Sequence, residues 1–397
     1  MSSHSIIVQK YGGMCLETPE KLRAVASALA DLHVRGHRVV VIVSAMGKTT
    51  DGLVKLAYQV SPHPVRRELD MLLTTGERIS MALMSMALSD LGVPAISFTG
   101  SQAGVLTDDS HSSARILDVR PIRVREELER GRVVVLAGFQ GVNPMTKEIT
   151  TLGRGGSDTT AVAMTAALKA ERCEIIKEVD GVCTADPRLV KESRPLAQLD
   201  YASLGEMCFW GAKVLHFRSV ELARSQNVNL MIKKWGAATE STLVTNEVPM
   251  MEVGKVLSVN SHARIEHIEI EAANLNLAYE KFSLHLKQHN LAWPQLLASA
   301  YQEGFGRLMV TGDTELLDTL LRTFEKSKTM RQLCAPMSAV ALTCYGGVAS
   351  DLAHRGLQIL SSQGIAAQKT LFTSHSVAFC VPADSREAAI KALHALV

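Results

Sequence analysis

The chain has 397 residues, enough for two or three domains that each bury a core. Hydrophobic residues make up 47% and charged residues 21%, and the formal net charge of +2 is too small to imply a nucleic-acid partner. Seven cysteines, scattered without any C-x-x-C, read as reduced cytosolic thiols rather than a disulfide frame or a zinc site.

In chain order, "SIIVQK" is a short β-rich run. Thr18 and Pro19 have the form of an N-cap and first helical position, opening an amphipathic helix through Val34 with Gly36 as its stop. "RVVVIVSA" reads as a buried strand, Arg66 to Leu91 as a long helix, "VPAISF" as a strand, Pro121 to Arg130 as a helix and "VVVLAGF" as a strand. Helical periodicity resumes after Gly156, and "CEIIKEV" is again a strand. This βαβα rhythm, with continuous Val/Ile runs, predicts an α/β fold: an open, largely parallel sheet with helices on both faces. After "VNLMIKKW" the pattern breaks, and a boundary is expected within 236–253, giving domains over 1–245 and 251–397. Beyond it "ARIEHIEIEA", "GRLMVTG", "SAVALTCYGG" and "HSVAFCVP" read as strands, alternating with helices over "LAYEKFSLHLKQHN", "DTELLDTLLRTFEKS", "SDLAHRGLQILSSQG" and "SREAAIKALHAL". The unit recurs roughly twice, as small α+β modules would. No apolar run approaches membrane-span length, and "MSSHSIIVQKYGG" lacks a signal-peptide pattern, so a soluble cytoplasmic protein is expected.

The strongest chemical signal is "ITTLGRGGSDTTAVAMTAAL". Gly153, Gly155 and Gly156 let backbone N–H groups converge, and Ser157 or Asp158 begins a helix whose N-terminus favours an anion. Arg154 adds a planar fork for carboxylate or phosphate. An aspartate among phosphate-binding groups makes sense when it orients a cation or a lysine that touches the phosphate. Lys10 in "KYGG" stands at the C-terminal end of a predicted strand, where open α/β sheets bind ligands, and could pair with Asp158. In "SAMGKTTDGL", Ser44 and Thr50 are candidate hydroxyl donors, against the plain reading of a loop with a helix N-cap. Glu77 in "LLTTGERIS" could accept from an ammonium group or form a surface ion pair. "KEVDGVCTADPRL" is a turn-rich loop that could wrap a nucleotide base, with Arg188 near phosphate. Lys213 is either a second phosphate lysine or a surface lysine. The lone histidines have no metal-ligand spacing, and neither a P-loop nor a G-x-S-x-G is present.

The motifs "KYGG", "SAMGKTTDGL", "TTGERIS", "ITTLGRGGSDTTAVA", "VDGV-TADPR" and "GAKVLH-RSVE" occur in an order and spacing that resembles the aspartate kinases of the amino-acid kinase superfamily. The resemblance is strong over residues 5–245 and architectural beyond 250, where the two modules look like paired ACT domains. It implies the amino-acid kinase fold and transfer of the ATP γ-phosphate to the β-carboxylate of L-aspartate, the first step of aspartate-derived amino-acid biosynthesis. In that scheme Lys10 stabilises the transferring group and Asp158 orients Lys10. Arg154 takes the substrate α-carboxylate, Glu77 its ammonium, and Ser44, Thr50 and Ser157 complete the pocket. ATP is held by Lys10, Tyr11, Gly12, Gly13, Lys177, Glu178, Cys183, Arg188, Lys213 and Val214, with magnesium bridging phosphate oxygens and no resident protein metal site. Assembly as a homodimer or higher homo-oligomer through the ACT-like region is implied too. The chain departs from the family pattern at Met14-Cys15 (usually Thr-Ser), Lys177-Glu178 (Thr-Asp), Cys183 (Tyr) and Phe217 (Pro), mostly on the nucleotide side, where Met14 would put an apolar group near phosphate. Both ACT-like modules lack the Pro-Gly turn that commonly opens their helices. The alternatives are a kinase for another amino-acid carboxylate and a non-catalytic sensor of amino acid or nucleotide.

Overall fold

The computed structural model describes residues 5–236, 241–246, 248, 254–289, 291–325, 327 and 329–397. The chain divides into two compact units: 1–183, 195–208 and 213–249 form the first, and 184–194, 209–212 and 250–397 the second. Much of the expected boundary at 236–253 lies outside the described residues.

Up to residue 246 the elements, in chain order, are β1 (Ile6–Tyr11), α1 (Pro19–Val34), β2 (Arg38–Val43), α2 (Thr49–Val60), α3 (Arg66–Asp90), β3 (Ala95–Phe98), β4 (Val105–Thr107), β5 (Ile116–Val119), α4 (Ile122–Glu129), β6 (Val133–Ala137), β7 (Gln140–Val142), β8 (Ile149–Thr151), α5 (Gly156–Leu168), β9 (Arg172–Lys177), β10 (Gln198–Leu199), α6 (Tyr201–Phe209), α7 (Phe217–Ser225), β11 (Leu230–Lys234) and β12 (Ser241–Val244). Eight strands form one sheet in the order β10-β12-β11-β9-β1-β2-β6-β3. Only the β11–β12 pairing is antiparallel. Every second residue of the central strands (Tyr11, Val39, Val41, Val43, Val133, Val135) packs with α1 and α3 residues such as Val25, Leu29, Met84 and Leu88. The alternate residues, among them Val40, Ile42, Val134 and Leu136, are equally buried on the other face, where α5 lies. Thr18 does cap α1, accepting from the Lys21 amide at 3.3 Å.

Two features exceed the sequence reading. Residues after the 44–48 loop form α2, a helix with Gly52 inside it and no buried residue. A second, four-stranded sheet, β5-β4-β7-β8, is built from strands of three or four residues, too short to show alternation.

The second unit holds β13 (Val256–Glu271), α8 (Leu275–Gln288), β14 (Gln295–Gln302), β15 (Phe305–Thr311), α9 (Thr314–Phe324), β16 (Met330–Gln332), β17 (Met337–Cys344), α10 (Leu352–Ser362), β18 (Lys369–Phe372), β19 (Ser376–Pro382) and α11 (Arg386–Leu393). Its strands form one antiparallel sheet, β14-β15-β13-β17-β19-β18, with β16 beside β13. The two repeated modules share β13. Its first half pairs with β17 and its second with β15 and β16, with a register shift between His262 and Ile265. Each module keeps its own helix-covered core, one around Ile268, Phe282, Leu308 and Leu317, the other around Val340, Leu342, Leu360 and Phe379. Where a Pro-Gly turn was missed, Asn274 caps α8 instead, accepting from the Leu277 amide at 2.9 Å.

Candidate active site

The chain leaves β1 for β2 on one side and returns to β9 on the other, so the strand order reverses between β1 and β9, which run parallel. Ligands of open α/β sheets bind at such a reversal, beyond the carboxyl ends of the strands. Lys10 is the penultimate residue of β1 and Lys177 the last of β9.

Both lysines reach one carboxylate. Lys10 Nζ lies 2.5 Å from Asp158 Oδ1, and Lys177 Nζ lies 3.1 Å from Asp158 Oδ2. Lys177 Nζ also donates to the Val214 carbonyl. Asp158 sits in the first turn of α5 and is 4% exposed. Burial by itself would raise its pKa, but the two ammonium groups outweigh that and hold it below the usual carboxylate range. Burial lowers the Lys177 pKa, with Lys10 adding to the shift and Asp158 opposing it.

The loop after β1 is zipped to the loop after β2. Gly47 N donates to Gly13 O at 2.9 Å and Ser44 N to Tyr11 O at 3.3 Å. A Cβ at Gly13 would sit 2.6 Å from the Ala45 carbonyl oxygen, so only glycine allows this approach. Glu77 joins from α3: its Oε1 accepts from Ala45 N at 3.1 Å, while Oε2 is buried without a hydrogen-bond partner among the described residues. Burial pushes the Glu77 carboxyl up to about 7, against the pull of the Ala45 amide and Lys10. Its 4% exposure excludes a surface ion pair, and a buried carboxylate oxygen left without a partner calls for a donor.

The glycine-rich loop is held from behind by residues the sequence reading passed over. Asp70, fully buried on α3, accepts from Thr151 Oγ1 at 2.6 Å, Thr151 N at 3.1 Å and Ser112 N at 3.1 Å, and lies 2.8 Å from His111 Nδ1. It stands two helical turns before Glu77, and an aspartate on the same face of a helix as a functional glutamate was the available signal. Arg218 clamps the loop, donating to Leu152 O at 3.0 Å and Ala114 O at 2.9 Å. Gly155, not Ser157 or Asp158, is the N-cap of α5. Its φ is +71°, and a Cβ there would fall 2.3 Å from the His216 Cβ. Ser157 is buried in the first turn and Arg154 is exposed in the loop, while Thr50 is half-buried in the first turn of α2.

On the nucleotide side the residues divide. Gly12, Lys177 and Val214 come together: Gly12 N donates to Ile176 O, and a Cβ on Gly12 would lie 3.9 Å from Lys177 Cγ. The Tyr11 side chain turns into the core, its hydroxyl on Gln9 Oε1 at 2.9 Å and its ring 5.7 Å from that of Trp235, so only its main chain borders the site. Glu178 points to Lys21 Nζ at 2.9 Å. Lys213 is exposed, and Cys183 forms an isolated bridge with Pro195. Arg188 belongs to the second unit and forks onto Asp186.

Of the Met14-Cys15 departure, the structure relocates Cys15. Cys15 is fully buried among Leu16, Val25 and Ala26, with its sulfur 3.8 Å from Ile176 O, and burial raises its pKa. The Met14 side chain is 40% exposed. Cys15 is therefore a packing change next to the glycine loop, and its side chain does not face the site. Cys15→Ser is expected to leave the Michaelis constant for ATP within about twofold and to shift stability by about 1 kcal/mol or less, since the hydroxyl can bond the same carbonyl. Steady-state kinetics and thermal melting check this, and a large change in ATP use would return the side chain to the phosphate site.

Comparison with known proteins follows this geometry. The model of the amino acid kinase family matches residues 5–234. The aspartokinase of Corynebacterium glutamicum is 52% identical over 251 residues, which are 62% of this chain and 60% of that protein, so the matched stretch spans under two thirds of this relative. An aspartokinase of Bacillus sp. (strain MGA3) is 37% identical over 396 residues, covering 98% of this chain and 96% of the relative. Among solved structures, E. coli aspartokinase III in complex with aspartate and ADP (R-state) superposes with a TM-score of 0.81 over 99% of both chains at 22% identity, a likeness of fold. With the family model covering more than half the chain and a 37% identical relative matched end to end, this chain belongs to the amino acid kinase family and, within it, to the aspartokinases.

Proposed function

We propose that this chain is an ATP-dependent aspartate kinase. The observation that carries the reading is the Lys10–Asp158 pair at the sheet reversal, with the open Glu77 carboxylate on the adjoining loop cluster. The E. coli relative binds aspartate and ADP, the ligands this reading requires. In the reaction a β-carboxylate oxygen of aspartate forms a bond to the γ-phosphorus of ATP while the bond from that phosphorus to the β,γ-bridging oxygen breaks. ADP leaves with the bonding electrons, and the product is 4-phospho-aspartate, an acyl phosphate.

Such a transfer asks the protein for positioning and charge stabilisation, with little covalent work. Lys10 neutralises charge on the transferring group and Asp158 holds its ammonium in place. Glu77, ionised, takes the substrate ammonium; Arg154 takes the α-carboxylate, and Ser44, Thr50 and Ser157 line the same pocket. Tyr11 (main chain), Gly12, Gly13, Lys177, Val214, Lys213, Glu178 and Cys183 make the nucleotide side. Magnesium would arrive with ATP on its phosphate oxygens. Asp158 is already taken by two lysines, so it is not free to ligate that ion. We further propose a cytoplasmic protein that self-associates through its ACT-like unit. No helix among the described residues is long and apolar enough to cross a membrane, and β14 leaves an exposed sheet edge.

The test offers MgATP with aspartate and with a panel of related amino acids, reading ADP release and trapping the acyl phosphate with hydroxylamine. Aspartate-dependent ADP release with hydroxamate formation supports the reading. Turnover with a different amino acid would reassign the substrate, and ligand binding without turnover would favour the sensor.

A further inference from the structure

We propose that Lys177 is a second phosphate-binding lysine, sharing Asp158 with Lys10 and contacting the nucleotide's terminal phosphates; this rests on the kinase reading above. Three observations carry it. First, Lys10 and Lys177 end adjacent parallel strands on the two sides of the sheet reversal, where a ligand would sit. Second, the stem of Lys177 lies against Gly12, and its ammonium is fixed by Asp158 Oδ2 and the Val214 carbonyl, which leaves one of its three N–H donors unused. Third, the charges do not balance. Two ammonium groups on one carboxylate leave a formal +1, placed in the first turn of α5, where the helix end adds positive potential.

Asp158 needs one cation to be neutral, and Lys10 supplies it. A second, largely buried ammonium beside the first is repelled and desolvated, and this shows in the lowering of the Lys177 pKa. An arriving polyphosphate reverses the sign of that interaction, so the arrangement is worth most when nucleotide is bound. Glu178, the neighbouring departure, does not oppose this, because its carboxylate is paired with Lys21.

The experiment measures equilibrium binding of AMP, ADP and a non-hydrolysable methylene-bridged ATP analogue to wild type, Lys177→Gln, Lys177→Met and Lys177→Arg at fixed magnesium. Lys177→Gln keeps a donor for Val214 and guards against a Lys177→Met protein that fails to fold. The expected result is AMP affinity within about twofold of wild type, ADP weakened about tenfold and the ATP analogue on the order of 10²-fold, with Lys177→Arg recovering most of the loss. Equal losses for all three nucleotides would mean a merely structural lysine, and no loss for the analogue would mean no phosphate contact; either overturns the proposal. Wild type that turns over aspartate with variants behaving this way leaves the kinase reading intact. Wild type that binds no adenine nucleotide overturns both.

Discussion

Replacing Asp158 with alanine is expected to lower the unfolding free energy by about 3–5 kcal/mol, because it strands two buried ammonium groups beside each other. Lys10 and Asp158 are 5% and 4% exposed, so water cannot make up the loss. Turnover should fall as well, by on the order of 10²–10³, since Lys10 loses the group that aims it. The deficit carries a pH signature with a definite sign. A buried lysine whose folded pKa lies below its unfolded value of 10.5 binds its proton more weakly in the folded state. The variant should therefore regain stability as pH rises from the lowered folded value of Lys177 toward 10.5. The wild-type pair has a slope of the same sign at the acid end: its stabilisation is full above 3.8 and is lost as pH falls through the depressed Asp158 value. Urea titrations of both proteins at pH 7 and pH 9.5 measure this. A variant as stable as wild type, or one that weakens further with rising pH, contradicts a shared carboxylate.

Glu77→Gln is expected to raise the dissociation constant for aspartate by on the order of 10²-fold, because the substrate ammonium loses a buried ionic partner. In wild type the same carboxylate makes aspartate binding pH-dependent. With its pKa at about 7, Glu77 is increasingly neutral below that value, so aspartate affinity should fall about tenfold per pH unit under 7 and level off above 8. The variant should lack this slope. Folding moves the other way. A carboxyl raised from 4.5 to about 7 holds its proton more tightly when folded, so the ligand-free protein loses stability as pH rises across that interval and is level above it. Glu77→Gln should accordingly be more stable than wild type at pH 8, by about 1–3 kcal/mol, while binding aspartate worse. Calorimetric titration with aspartate from pH 5.5 to 8.5 and thermal melts at pH 8 read both halves. A flat wild-type profile would place the Glu77 carboxylate away from the ammonium.

The parts of this molecule that were legible beforehand are those where one local pattern has one physical meaning. Thr18-Pro19 opens α1, continuous Val/Ile runs make the buried parallel strands, and glycines followed by Ser157-Asp158 begin α5. The Lys10–Asp158 pair was also reachable, because an aspartate at an anion-binding helix end needs a cation. Other features depend on tertiary partners. The small sheet of short strands has no periodicity to read, and α2 buries no residue. Asp70 is one of several charges at the start of α3, and only Thr151 and Ser112 closing around it give it a role. Cys15 and Lys177 adjoin the same loop, yet one side chain faces the core and the other faces Asp158. Cys15 lies in a turn of 3-10 helix after β1, with no strand alternation to read, and Lys177 is placed beside Lys10 only by the register of β9 against β1. The shared strand β13 joins two modules that the sequence presents as separate repeats.

The most direct test is aspartate-dependent ADP release by wild type and Lys10→Ala under the same saturating MgATP, with the acyl phosphate trapped as its hydroxamate. The wild type should turn over aspartate, and Lys10→Ala should be slower by on the order of 10²–10³ while remaining folded with Asp158 paired to Lys177. Absence of aspartate-dependent turnover in the wild type, or a Lys10→Ala protein as fast as its parent, would contradict a kinase built on the Lys10–Asp158 pair.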